Sequence, residues 1–319
     1  RLASSICAPA SCEREQVETE VATVFFAQIL SSLGRSPATP LPGRAAAAEV
    51  SHWADIPLKF VIVGVDGCGT TSVRRTLGAH PEISFTNLSV HGVDEDFTFH
   101  DMGRRTLPLL SQVEAFGAAY AAQAQQCLGL YNPLLWSEAT VREMLTLIPH
   151  LRVVAMTCDP VDRFEKRVFA RMQKSSFNRG DAMAMELAND NLLWFGEHLK
   201  RWQILFGPRV RFLHTSLLRA APLEAFNRLA EFVGVAPFPA ERQFHRYNSQ
   251  RGRRTGMCDE PELLRHVQQH FAPEYEALEE LFAAMGAPLP DELRLRQTRC
   301  DRPDELVEKA ECHKDRCMD

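Results

Sequence analysis

The stretch FVIVGVDGCGTTSVRRTLGAHP, residues 60–81, holds the residue types best suited to chemistry. Gly64, four further residues, and then Gly69-Thr70-Thr71 reproduce the spacing of a phosphate-binding P-loop, except that a threonine follows the second glycine where a lysine normally stands. Glycines let the main chain approach an anion closely. The N–H groups of residues 67–71 would point at that anion, and a helix starting there adds its dipole. The hydroxyls of Thr70, Thr71 and Ser72 add further donors. A nucleoside triphosphatase uses such a loop with a metal ion and a lysine on the terminal phosphate. Thr71 could serve the metal and Asp159 could act as the second-strand acid, but the lysine is missing. The loop therefore suits an anionic ligand that needs no metal, with a P-loop kinase or NTPase as the alternative.

A second candidate is the run of Arg242, Arg246, Arg251, Arg253 and Arg254 in a chain whose net charge is −5. The acidic balance argues against nucleic acid as a partner. A local cluster of arginines in an acidic protein points instead to a small anionic ligand, or to a solvated basic face.

These residues need a scaffold. LKFVIVGV, LRVVAMT and VRFLHT are short apolar runs separated by helical patterns, which predicts parallel strands joined by right-handed crossovers. The fold class is α/β, a P-loop-like parallel sheet with helices on both faces. Helices are expected over SVRRTLG, over the Ala- and Gln-rich residues 113–128, after a Ser137 N-cap, over 181–206, over LEAFNRLAEFVG, and over one or two segments between 260 and 286. Residues 1–57 read as an amphipathic N-terminal helix and a Pro/Ala-rich linker, 58–286 as the main domain, and 287–319 as a cysteine-containing tail. No apolar stretch reaches the ~20 residues of a membrane span. The chain opens on Arg1, which reads as a fragment or processed form.

Three stretches, in order, resemble sulfotransferases of the glycan and heparan-sulfate type. GVDGCGTTSVRRTLGAHPEI is similar to their 5′-phosphosulfate loop. YNPLLWSEATVREMLTLIPHLRVVAMTCDPVDRF is similar to the segment running into their Arg-Asp-Pro-x-x-Arg 3′-phosphate motif. QRGRRTGMCDEPELLRHVQQHFAPEYEALEELFAAMG is similar to their last nucleotide loop and closing helices. The resemblance implies transfer of a sulfuryl group from 3′-phosphoadenylyl sulfate (PAPS) to a hydroxyl or amine, with a carbohydrate as the acceptor and no metal. By position it assigns Gly67, Cys68, Gly69, Thr70, Thr71 and Ser72 to the 5′-phosphosulfate. Asp159 and Arg163 fall to the 3′-phosphate, and Arg251, Gly252 and Arg253 to the loop that closes over the nucleotide.

Several positions depart from that pattern. The loop lysine aligns with Gly67, which puts turnover in question and keeps a nucleotide-binding relative with little activity as an alternative. The arginine opening the 3′-phosphate motif is Cys158, and its serine partner is Lys166, a cation within a helical turn's reach of the same phosphate. For the general base, His91 is the first choice and Glu95 an alternative, since a neutral imidazole accepts a proton near neutral pH. Of the nine cysteines, Cys7 and Cys12 lie near one end and Cys300, Cys312 and Cys317 near the other. That clustering suggests disulfides at the termini and an oxidising compartment, the Golgi lumen of the secretory pathway, with the cytoplasm as the alternative.

Overall fold

The computed structural model describes residues 53–55, 57–65, 67–85, 127–132, 138–174, 177–188, 194–244 and 255–301, together with positions 13, 111, 113, 114 and 118. The expected N-terminal helix, most of the linker, and the tail beyond residue 301 lie outside these residues.

Five strands form one sheet: β1 (Leu58–Val63), β2 (Ile83–Phe85), β3 (Cys127–Asn132), β4 (Arg152–Thr157) and β5 (Val210–His214). Their order is β2-β3-β1-β4-β5, and every pairing is parallel. Successive strand residues face opposite sides of a sheet. Phe60, Val61, Ile62 and Val63 of β1 are all fully buried, as are Val153 and Val154 of β4, so helices cover both faces. These two central strands are the continuous apolar runs of the sequence.

Two strands escaped the sequence pattern. β2 is only three residues long, and β3 begins at Cys127, inside the stretch expected to be helical. Gly129 in β3 faces the ring of Phe60, and a Cβ there would come within 2.3 Å of the ring's Cζ. Glycine at that position is a packing requirement that reads from sequence as a strand-weakening residue.

Ten α-helices are described: α1 (Thr70–Gly78), α2 (Glu138–Leu147), α3 (Pro160–Lys174), α4 (Arg179–Leu187), α5 (Gly196–Phe206), α6 (Thr215–Ala220), α7 (Pro222–Val233), α8 (Pro261–His270), α9 (Ala272–Ala284) and α10 (Asp291–Arg294). Among the described residues, the helical stretch expected over 181–206 is interrupted, with α4 ending at Leu187 and α5 beginning at Gly196. The reason lies in tertiary structure: Glu274 of α9 accepts the N–H groups of Phe195 and Gly196, at 3.1 and 2.7 Å, and so caps a new helix start. Ser137, the expected N-cap of α2, lies outside the described residues. Trp202 of α5 and Tyr275 and Leu278 of α9 complete the buried core on that side.

Candidate active site

The loop between β1 and α1 sits where the strand order changes direction. β1 has β3 on one side and β4 on the other, and the chain leaves β1 to reach β2 before returning to β3. Ligands of open α/β sheets bind at such a switch point, beyond the carboxyl ends of the strands.

Local sequence shapes this loop. Gly67 and Gly69 have φ of 84° and 85°, the left-handed region that disfavours other residues. Cys68 N–H donates to the Val65 carbonyl, and the N–H groups of Ser72 and Val73 return to the Gly69 carbonyl, closing the first turn of α1. A Cβ on Gly69 would meet Thr215 Cγ2 at 3.3 Å, so the start of α6 crowds the loop from the β5 side. From the β3 side, the Tyr131 hydroxyl lies 3.2 Å from Thr70 Oγ1 and 3.3 Å from Thr71 Oγ1. Gly67, Gly69, Thr71 and Ser72 are half-buried, whereas Cys68 and Thr70 are buried.

The β4 side is tied covalently. Cys68 forms a disulfide with Cys158, the residue that follows β4. Cys158 is therefore no solitary replacement for an arginine; it is half of a bond that pins the loop to the start of α3. Both cysteines fall just past the ends of strands that are neighbours in the sheet, a signal that the parallel reading of β1 and β4 contained.

α3 and the residue just before it carry much of what surrounds the loop. Asp159, just before the helix, accepts the Asp162 N–H at 2.8 Å through Oδ1 and the Tyr275 hydroxyl through Oδ2. Burial and this carboxylate push the Tyr275 hydroxyl's pKa well up, so it remains the donor. Asp159 thus caps α3 and anchors it to α9. Arg163 is 1% exposed, with its guanidinium over the Phe195 ring at 5.4 Å, which places it in the core. Lys166, one turn further, reaches the loop: its Nζ donates to the Gly67 carbonyl at 2.8 Å. The lysine that by resemblance aligns with the 3′-phosphate motif thus stands at the glycine loop.

Glu165, buried beside Lys166, accepts the Thr255 hydroxyl at 3.0 Å. Arg179 donates to the Thr255 carbonyl at 3.2 Å, and Cys258 is bonded to Cys300. Thr255 follows the arginine cluster directly. Near the beginning of the cluster, between Arg242 and Arg246 in sequence, Phe244 stacks on Phe226 with ring centroids 5.0 Å apart. Arg251, Gly252 and Arg253 themselves lie outside the described residues, as do His91 and Glu95. Cys300 pairs with mid-chain Cys258, a correction to the expected pairing among the terminal cysteines; Cys7, Cys12, Cys312 and Cys317 are not among the described residues. No group of three or more potential metal ligands occurs among the described residues. No helix among them is long and apolar enough to cross a membrane.

No protein-family model matches the sequence, and no curated protein matches it. Solved structures do match. A sulfotransferase from Alicyclobacillus acidocaldarius superposes with a TM-score of 0.52 at 18% identity, over 74% of this chain and 98% of that one. The mouse sulfotransferase SULT7A1, complexed with PAP, gives 0.47 at 10% identity over 73% and 89% of the two chains. A sulfotransferase domain from the curacin biosynthetic pathway gives 0.45 at 14% identity over 75% and 100%. The parallel five-stranded sheet and the match to the Alicyclobacillus protein together show that this chain has the sulfotransferase fold.

Proposed function

We propose that the protein transfers a sulfuryl group from PAPS to a hydroxyl or amine of an acceptor, a carbohydrate by its resemblance to the glycan-acting enzymes. The observation that carries this reading is the glycine loop at the switch point of a sulfotransferase fold, with Lys166 as a cation beside it. In the reaction the acceptor oxygen or nitrogen attacks sulfur and the bond from sulfur to the 5′-phosphate oxygen breaks. That oxygen keeps the electron pair, and the acceptor proton passes to a base. The products are a sulfated acceptor, adenosine 3′,5′-bisphosphate and a proton.

The described residues suit such a ligand. Gly67 to Ser72 offer main-chain N–H groups and hydroxyls to the 5′ end without requiring metal. Asp159, which also fixes the start of α3, and Arg163 are assigned by the resemblance to the 3′-phosphate. Arg251, Gly252 and Arg253 close over the nucleotide, and His91 takes the acceptor proton, with Glu95 as the alternative base. The Cys68–Cys158 and Cys258–Cys300 disulfides favour an oxidising compartment, and the proposal sets the reaction in the Golgi lumen. Residues 58–286 form the proposed catalytic domain.

A second reading is a nucleotide-binding relative with little turnover, favoured by Gly67 at the position of the loop lysine. Two measurements separate the readings. Adenosine 3′,5′-bisphosphate at ~100 times its dissociation constant should stabilise the protein by ~2.7 kcal/mol without added metal. Transfer of labelled sulfate from PAPS to an acceptor panel should then be detectable. A magnesium-dependent response to ATP with none to the bisphosphate would overturn both readings in favour of a P-loop kinase.

A further inference from the structure

Lys166 lies in the second turn of α3, on a different element from the loop it touches. A Cβ built on Gly67 meets nothing closer than Lys166 Cδ, at 4.0 Å. The space that a side chain at position 67 would enter is thus bordered by the stem of this lysine. Its ammonium is held on the Gly67 carbonyl, within the turn that opens α1.

Three restraints hold α3 in place relative to that turn. The Cys68–Cys158 disulfide ties the residue after Gly67 to the segment opening α3. The Tyr275 hydroxyl on Asp159 fixes the helix start. Glu165, adjacent to Lys166, is anchored to Thr255. Lys166 is half-buried, so its charge acts through a medium less polarisable than bulk water.

We infer that Lys166 is the cation that meets the transferring sulfuryl group, supplied across the site from α3 in place of a loop side chain. The inference rests on the proposed sulfuryl transfer. As the sulfur–oxygen bond breaks, negative charge builds on the departing phosphate oxygen and on the sulfuryl oxygens. An ammonium positioned beforehand stabilises that charge more than it stabilises the ground state, so it raises kcat more than it lowers KM. The restraints on α3 mean that no rearrangement is needed when the charge appears. Gly67 then has a positive role, since a side chain there would compete for the place Lys166 occupies.

The test compares Lys166→Met and Lys166→Arg with wild type in full-length protein. Affinities for PAPS and for adenosine 3′,5′-bisphosphate are measured by calorimetry, and kcat and KM by labelled-sulfate transfer. Lys166→Met should lower kcat by ~10²–10³-fold, the effect of losing one charge-stabilising donor. It should weaken bisphosphate binding about tenfold while leaving PAPS affinity within about threefold, because the full charge on the 5′-phosphate oxygen exists only once the sulfuryl group has left. Lys166→Arg, which keeps a cation, should recover part of both losses. Equal weakening of both nucleotides accompanied by a lower melting temperature would make Lys166 a clamp on Gly67 and overturn the inference. Unchanged bisphosphate affinity and unchanged kcat would overturn it as well. If wild type binds both nucleotides but transfers nothing, the PAPS-to-bisphosphate affinity ratio of Lys166→Met decides alone. If wild type binds neither nucleotide, the proposed function itself falls, and the inference with it, before any variant is compared.

Discussion

The two disulfides should be nearly equal in stability and unequal in function. The Cys68–Cys158 bond spans 90 residues of sequence and Cys258–Cys300 spans 42. Chain-entropy arithmetic gives about 4.6 kcal/mol for the first and about 3.9 kcal/mol for the second, and natural bonds commonly deliver ~2–4 kcal/mol. Replacing either pair with serines should therefore lower stability by a few kcal/mol, with little difference between the pairs. Ligand binding should distinguish them. The first bond restrains a turn in which Gly67 and Gly69 both hold positive φ, a conformation that free glycines abandon readily. Re-ordering one such residue on binding costs ~1–2 kcal/mol. The Cys68→Ser/Cys158→Ser variant should thus bind adenosine 3′,5′-bisphosphate roughly tenfold more weakly. The Cys258→Ser/Cys300→Ser variant should lose less affinity, because its bond lies beyond Thr255 and not in the loop. Denaturant unfolding supplies the stabilities, and calorimetry on the folded variants supplies the affinities. Equal affinity losses in the two variants, or none in the first, would refute the idea that the Cys68–Cys158 bond pre-orders the phosphate loop.

Three further outcomes can be checked on purified protein. Gly67→Lys, which by sequence restores the loop cation, should instead lower stability by ~1–2 kcal/mol because position 67 has φ 84°. It should not raise sulfate transfer, since its ammonium would share the site with that of Lys166; a tenfold gain at unchanged melting temperature would contradict this. Burial pushes the Glu274 carboxyl up to about 8 against the opposing N–H bonds from Gly196 and Phe195 and the nearby charge of Arg163. The folded protein therefore keeps a proton that the unfolded chain releases near its ordinary value of 4.5. Stability should fall as pH rises from about 4.5 to about 8, and Glu274→Gln, which retains an oxygen acceptor, should flatten that slope in urea titrations at pH 5 and 8. Glu165→Gln should loosen the anchor at Thr255 and weaken bisphosphate binding several-fold while leaving the Cys258–Cys300 bond intact; unaltered affinity would separate Thr255 from the site.

The parts legible in the sequence are those that local chemistry dictates. An apolar run followed by spaced glycines and a hydroxyl-rich helix start can hardly be anything but a strand, a tight loop and a helix, and β1, the loop and α1 follow that reading. β4 is recognisable for the same reason, since both faces of a central parallel strand are buried and the run reads as apolar residues, and β5, at the sheet edge, by a short apolar run broken only by exposed Arg211. β3 was hidden because Gly129 and Asn132 are poor strand formers on their own. They belong there only because Phe60 lies over Gly129 and β1 pairs alongside.

The site divides along the same line. The loop could be placed by its spacing, but the partners that reach it could not. Tyr131, Thr215 and the pair Cys158 and Lys166 come from three separate stretches of chain, and they meet the loop only because the strands that carry or precede them end at the same edge of one sheet. Arg163 and Lys166 show the limit most plainly. Three residues apart on one helix, they have similar charge and similar claims on an anion. Side chains at that spacing differ by about 60° around the helix axis. That rotation turns Arg163 into the core over Phe195 and Lys166 towards Gly67, a choice made by how α3 packs on the sheet.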